Sequence, residues 1–283
     1  MNALAVPLAW SGDGWQILCG DAGDLAASLP PASVDCIVTS PPYYWQRDYG
    51  VSGQLGHEPT IDDYVARLVA IFGALRPALV ESGTVFLNLG DTFYSAKGKP
   101  HGKDAKHRER SVGRRLLRAV DGPGLGLPRK SLIGIPWRVA LAMQADGWTL
   151  RSAVIWERPG SMPEPTAHDR PWQTYEHVFV FATGPRYHFD RAALGGDESV
   201  WRITARPANV DRHAAPFPIE FAERCVAAGC PPQGMVLDPF VGSGTTLRAA
   251  LGLGRQGVGF DLNADYCARA AARVAMPPRS TDT

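Results

Sequence analysis

The chain has 283 residues, 45% hydrophobic and 20% charged, with a formal net charge of +1. That is enough apolar material for a large core, and the absence of any run of about 18 apolar residues excludes a helical membrane span. The opening "MNALAVPLAWSGDGWQ" lacks the pattern of a signal peptide, and five cysteines without a C-x-x-C pair fit a reduced cytoplasmic protein with no zinc site.

In chain order, "GWQILCGD" reads as a short strand followed by a weak helix, "LAASLP". "VDCIVTS" is an almost continuous apolar run, as expected for a parallel strand covered on both faces. "IDDYVARLVAIFGALRPALV" has helical spacing, with Tyr64, Leu68, Ile71, Phe72 and Leu75 on one side. "GTVFLNLGD" is a third strand, and "IPWRVALAMQADG" a helix bounded by proline and glycine. "TLRSAVIWE" and "HVFVFAT" are strands, and "PIEFAERCVAAGC" is a helix. "GMVLDPF", "TTLRAALGLG", "QGVGFDL" and "ADYCARAAARVA" then alternate strand, helix, strand, helix. This alternation predicts an α/β fold with a mostly parallel, doubly wound sheet. A single domain is expected over residues 14–276, with a loose tail at 277–283.

Charge is uneven. Between Ser95 and Lys130 eleven Lys or Arg face three carboxylates, a surplus of eight positive charges, which leaves the rest of the chain seven negative. A basic insertion on an acidic body points to a polyanion partner, with Lys97, Lys99, Lys103, Lys106, Arg108, Arg110, Arg114 and Arg115 as candidate contacts. A solvated loop is the plainer reading of the same stretch.

"MVLDPFVGSGTTLRAAL" carries the clearest ligand signal. A strand ends at Asp238, Gly242 and Gly244 permit a tight turn, and Thr245 and Thr246 open a helix whose amides and hydroxyls can meet an anion. The next strand ends at Asp261, seventeen residues past Gly244, where a carboxylate can accept hydrogen bonds from a ribose diol. Leu247 stands where a dinucleotide site would place its third glycine, so a nucleoside without a pyrophosphate fits better than NAD and an oxidoreductase is disfavoured.

The corner "TSPPYYWQRDYG" raises a separate question, since two prolines end a buried strand. Together, "TSPPYY" and "DPFVGSGTT" resemble the catalytic and S-adenosylmethionine loops of amino-group DNA methyltransferases. "NLGD", the stretch after "VIWERPG" and "RHAAPFPIEF" extend the resemblance from about Gly14 to Val274. The catalytic motif precedes the cofactor motif, the circularly permuted order of the family's beta class.

The resemblance implies a methyltransferase sheet in which the strands through Asp21, Ser40, Asp238 and Asp261 end on one edge. It implies S-adenosylmethionine as cofactor, bound by Asp21, Ala22, His213, Phe217, Pro218, Asp238, Phe240, Gly242, Gly244, Thr245, Thr246 and Asp261. It implies a catalytic group of Ser40, Pro41, Pro42, Tyr43 and Asp91. Double-stranded DNA is the implied substrate, with a cognate restriction enzyme as a further partner. Serine at the first motif position usually accompanies cytosine N4, with adenine N6 as the alternative and a non-catalytic DNA-binding protein as a remoter one. Residues 195–212 fall where the family places target recognition, which adds Trp201 and Arg202 to the candidate DNA contacts.

The chemistry accounts for the prolines. An exocyclic amine has a conjugated lone pair, so the enzyme must accept its hydrogens and let it pyramidalise. Ser40 Oγ and the Pro41 carbonyl are suited acceptors, and the prolines stiffen the loop that carries them. The ring of Tyr43, rather than its hydroxyl, is expected to stack on a flipped base, offsetting with about 1–3 kcal/mol part of the flipping cost. Tyr44 and Trp45 read as core residues beside it, with the base pocket as the alternative.

Overall fold

The computed structural model describes residues 7–98, 118–160, 164, 167–194, 196, 198–204 and 217–276. Among these residues nine strands form one sheet: β1 (Ala9–Gly12), β2 (Trp15–Cys19), β3 (Val34–Thr39), β4 (Leu79–Leu89), β5 (Thr149–Glu157), β6 (Tyr175–Ala182), β7 (Val200–Arg202), β8 (Met235–Asp238) and β9 (Gln256–Asp261). Their spatial order is β1-β2-β9-β8-β3-β4-β6-β5-β7. The run β2-β9-β8-β3-β4 is parallel throughout, whereas β6 is antiparallel to both β4 and β5. The C-terminal ends of the five parallel strands therefore share one edge with the N-terminal end of β6.

Among the described residues six helices cover the sheet: α1 (Ala22–Leu25), α2 (Ile61–Leu75), α3 (Ile135–Ala145), α4 (Ile219–Gly229), α5 (Thr245–Gly252) and α6 (Ala264–Val274). Strand alternation divides the core. Ile37, Val85, Leu87, Leu89, Phe179 and Phe181 pack with α1, α2 and α3. Cys36, Val38, Phe86, Val178 and Val180 pack with α4 and α5. Burial on both faces is what the unbroken apolar runs of β3 and β4 require. Among the described residues no helix is long and apolar enough to cross a membrane.

Local chemistry sets the element ends. Thr60 caps α2 by accepting the Asp63 amide at 3.0 Å, and Asp62 and Asp63 complement the helix dipole in the first turn. The predicted continuation of α2 to Val80 does not occur. Pro77 falls in a 3-10 turn over Arg76–Ala78, and Leu79 already opens β4. Two strands escaped the sequence reading. β1 pairs antiparallel with β2, so the sheet begins before the expected boundary at residue 14, and the three-residue β7 extends the far edge.

Where α4 meets the sheet, spacing is set by Gly229. A Cβ there would overlap the Phe86 ring and sit 2.8 Å from Thr84 Oγ1 and 2.9 Å from Cys36 Sγ. Gly229→Ala is expected to destabilise the fold by about 1–3 kcal/mol through overpacking. Denaturant unfolding of the two proteins measures the difference.

Candidate active site

A single cleft lies along the shared strand edge. The half expected to take the cofactor (the cofactor half) is lined by Gly20–Ala22, Asp238–Ser243, Thr245, Asp261–Asn263 and Tyr266, and the half expected to take the target base (the target half) by Ser40–Tyr43, Asn88, Trp156, Arg158, Glu176 and Phe217. Parallel pairing of β2, β9, β8 and β3 brings Asp21, Asp261, Asp238 and Ser40 to this edge, as the permuted motif order implies.

In the cofactor half, the glycine loop is built to leave one carboxylate well oriented. Asp261 accepts the Gly242 amide at 3.1 Å through Oδ2 and the Asn263 amide at 2.8 Å through Oδ1. Burial, only partly opposed by these two amides, raises its pKa to about 6, so it is ionised at neutral pH. Gly242 takes a positive φ of 50° and lines the cleft. Phe240 offers a partly buried ring beside it. Ala22 is buried against the cleft wall, while Asp21 lines the cleft and caps α1 by accepting the Gly23 amide at 2.8 Å. Apolar surface from Phe240, Ala22 and Val241, facing an ionised carboxylate between backbone amides, suits a nucleoside carrying a ribose diol.

Other members of the expected set serve the scaffold. Asp238 is buried, and its oxygens accept Thr39 Oγ1 at 2.7 Å, Thr246 Oγ1 at 2.6 Å and the Phe240 amide at 3.1 Å. The Thr246 hydroxyl is thereby committed, fully buried and outside the cleft, so it does not await an anion. Gly244 is also outside the cleft, and its requirement is the approach of α6, since a Cβ would lie 2.8 Å from Val274 Cγ2. Thr245 does line the cleft, but its hydroxyl lies 3.1 Å from Ser243 Oγ and 3.1 Å from Arg273. Phe217 reaches the cleft and packs on Phe221 with tilted rings, centroids 5.0 Å apart, while Pro218 opens α4 away from it.

The corner of the target half is rigid. The Tyr64 hydroxyl donates to the Pro42 carbonyl at 2.8 Å. Trp45 sits at φ 51°, held by its amide on the Gly56 carbonyl at 2.7 Å, its indole on the Glu58 carbonyl at 2.8 Å and a stacked His57. Tyr44 is core, as expected. Gly90 leaves room for Tyr43, because a Cβ there would lie 2.5 Å from Tyr43 Cε2. The Tyr43 hydroxyl is not idle. It accepts from Ser40 Oγ at 3.0 Å and lies 2.7 Å from Glu176 Oε2 and 3.0 Å from Asn88 Oδ1. Glu176 pairs through Oε1 with Arg158 at 2.5 Å.

Asp91 is a correction. Its carboxylate accepts the amides of Thr92, Gly134 and Ile135 at 2.8–3.1 Å, which caps α3, and it does not reach the cleft. Trp201 is a second correction. It is buried beneath Phe221 and Arg224, so its ring has no face for DNA. Arg202 is exposed and pairs with Glu157 at 3.4 Å. Lys97 is exposed at the described end of the basic insertion, whereas Lys99, Lys103, Lys106, Arg108, Arg110, Arg114, Arg115 and His213 lie outside the described residues. The insertion's base is stapled: the Ser95 and Gly98 amides donate to the Val120 and Asp121 carbonyls, and Arg118 donates to the Trp45 carbonyl at 3.2 Å. The insertion thus departs from beside the serine corner.

The sequence reading missed Asn88, Arg158 and Glu176. It also missed the segment after the corner, where Tyr49 edges onto Tyr266 and Arg67 ties Glu58 to the carbonyls of Gly53 and Gln54 beside the cofactor half.

Residues 34–272 match the family model described as DNA methylase, N6_N4_Mtase. The chain is 39% identical over 270 residues to Type II methyltransferase M.SmaI of Serratia marcescens, covering 92% of this chain and 90% of that one. It is 40% identical over 264 residues to Type II methyltransferase M.XycI of Xanthomonas campestris pv. cyanopsidis, covering 90% and 86%. Among solved structures, PvuII DNA methyltransferase (cytosine-N4-specific) superposes with a TM-score of 0.70 at 19% identity, covering 93% of this chain and 87% of that one. The DNA modification methylase TTHA0409 of Thermus thermophilus, complexed with S-adenosyl-L-methionine, gives 0.64 at 23% identity, covering 91% of each. At such identities the structural likenesses speak for the fold.

Asp261→Ala is expected to weaken S-adenosylmethionine binding by about 1.5–3 kcal/mol, the loss of a charged hydrogen-bond acceptor. In the wild type, affinity should fall as pH drops through about 6, because protonation removes the charge that the ribose hydroxyls meet. Asp261→Asn should lose that step. Calorimetry above and below this pH checks both statements.

Proposed function

Because the chain belongs to the N6/N4 DNA methylase family, we propose that it methylates the exocyclic N4 of cytosine in a specific duplex DNA sequence. The enzyme is a DNA methyltransferase whose methyl donor is S-adenosylmethionine. When bound, this group supplies a methyl on a sulfonium that departs as a neutral thioether.

The observation that carries the reading is Ser40 at the end of β3. It places a neutral hydroxyl where the cofactor half of the cleft meets the target half. A base turned out of the duplex enters beside Tyr43. Ser40 Oγ and the Pro41 carbonyl accept the hydrogens of its amine, which draws the nitrogen lone pair out of conjugation with the ring. A nitrogen–carbon bond forms as the sulfur–carbon bond breaks, the electron pair leaving with the thioether, and the methylated amine then gives up one proton to solvent. No cysteine nucleophile is required, and all five cysteines are free thiols, four of them buried. Serine at position 40, the residue type that in this family usually accompanies cytosine N4, supports the choice of N4 over adenine N6. The Type II names of the relatives support a companion restriction enzyme, and action on DNA in the cytoplasm follows from that setting. The basic insertion is the proposed phosphate contact, since its stapled base adjoins Trp45 and the corner.

Incubation with mixed-sequence DNA and base-resolution mapping of the product should place the methyl on cytosine N4. A methyl on adenine N6 would overturn the choice of base, and one on a ring carbon the amino-group reading itself.

Changing Lys103, Lys106, Arg108 and Arg110 to Ala should flatten the slope of log affinity against log salt, by about 0.9 for each phosphate that is no longer neutralised. Binding to all sequences should weaken alike, with donor affinity unaltered. Parallel salt plots for the two proteins would remove the insertion from the DNA interface.

A further inference from the structure

Tyr43 has one hydroxyl proton and three oxygen neighbours. Glu176 Oε2 is nearest at 2.7 Å, while Asn88 Oδ1 and Ser40 Oγ each lie at 3.0 Å. Hydrogen bonds to a carboxylate are shorter and stronger than those to a neutral amide, so the phenol proton is directed to Glu176. The phenol keeps that proton, because burial, and after it the charge of Glu176, push its ionisation well above the usual tyrosine range. Its oxygen is left to accept, and Ser40 Oγ is the group that donates to it. A hydroxyl that spends its one proton in this way has only lone pairs left for the cleft.

We propose that Glu176 is a positioning residue, which fixes the direction of the chain Ser40 to Tyr43 to Glu176 so that Ser40 meets the target amine as an acceptor alone. Reversed, the chain would aim the Ser40 proton at the amine hydrogens, donor against donor. Two further contacts hold the direction. Arg158 binds the other Glu176 oxygen at 2.5 Å, which stops the carboxylate from turning away. Asn88 donates its Nδ2 to the His177 carbonyl at 3.2 Å, which turns its own oxygen toward Tyr43 as a second acceptor. The arrangement deepens the amino-group reading above and rests on it. It also assigns work to the Tyr43 hydroxyl, against the expectation that only the ring matters.

The test compares single-turnover methyl transfer to DNA, S-adenosylmethionine affinity and melting temperature across the wild type, Glu176→Met, Glu176→Gln, Tyr43→Phe and the double variant Tyr43→Phe with Glu176→Met. Tyr43→Phe and Glu176→Met should each slow transfer by about 10- to 100-fold at saturating DNA and donor, with donor affinity held. Glu176→Gln keeps a carbonyl acceptor and should recover most of the rate. The double variant should be no slower than the slower single one, because the chain is already cut. Tyr43→Phe leaves the Glu176–Arg158 pair in place and decides the matter if Glu176→Met does not fold. Wild-type rates in Tyr43→Phe, multiplied losses in the double variant, or Glu176→Gln as slow as Glu176→Met would each overturn the proposal. Product mapping separates the two levels: a wild-type methyl on an amino nitrogen with unaffected variants sinks only the role of Glu176, and a methyl elsewhere sinks the amino-group reading with it.

Discussion

Asp238 holds the two halves of the cleft in register. Its carboxylate, 2% exposed, ties Thr39 at the end of β3 to Thr246 at the start of α5, across 199 residues of sequence in the first case. Burying a carboxylate costs several kcal/mol unless its lone pairs are met. Here two hydroxyls and the Phe240 amide meet them, yet burial still raises the pKa to about 6. The serine corner follows Thr39 directly, and the glycine loop runs from Asp238 to Thr246. One carboxylate therefore sets the distance between the glycine loop proposed to hold the methyl donor and the serine corner proposed to hold its acceptor.

The two halves are built differently around that link. In the cofactor half, backbone amides of Gly242 and Asn263 orient Asp261, so most of the geometry is carried by turns and strand ends. In the target half it is carried by side chains, with Ser40, Tyr43, Asn88, Glu176 and Arg158 bonded to one another. Turn geometry announces itself in sequence through glycine and proline at fixed spacing. Side-chain geometry across strands does not.

That difference explains what was legible. The parallel strands, the helices from α2 onward and the edge shared by Asp21, Ser40, Asp238 and Asp261 were readable, because apolar runs and turn residues report local conformation. Asp91 was misassigned because a carboxylate at a strand end looks alike whether it faces a ligand or caps a helix 43 residues later, as it does at Gly134. Trp201 was misassigned because a tryptophan in a short polar stretch gives no sign of the Phe221 ring that buries it. Glu176 and Arg158 were missed for a topological reason. In "YEHVF" and "WERPG" they look like the charged ends of two ordinary strands. Only the antiparallel entry of β6 beside β4, pairing Leu89 with His177, brings the start of β6 level with the ends of the parallel strands.

The same reversal accounts for why the target half resides on that side of the sheet. A parallel strand delivers only its C-terminal end to the edge, and a helix must follow it. The β5–β6 pair delivers two ends at once, Arg158 leaving β5 and Glu176 entering β6, with Trp156 opposite Glu176 in register. Oppositely charged groups can thus be set face to face on adjoining strands without a helix dipole between them. The side-chain pair exposes 24% and 11% of its surface, too buried for water to dissolve the contact and open enough to border the cleft. The parallel strands therefore supply the cleft wall proposed for the nucleoside, and the antiparallel pair beside them supplies the Glu176–Arg158 pair that, in the proposal above, sets the direction of the Ser40 proton.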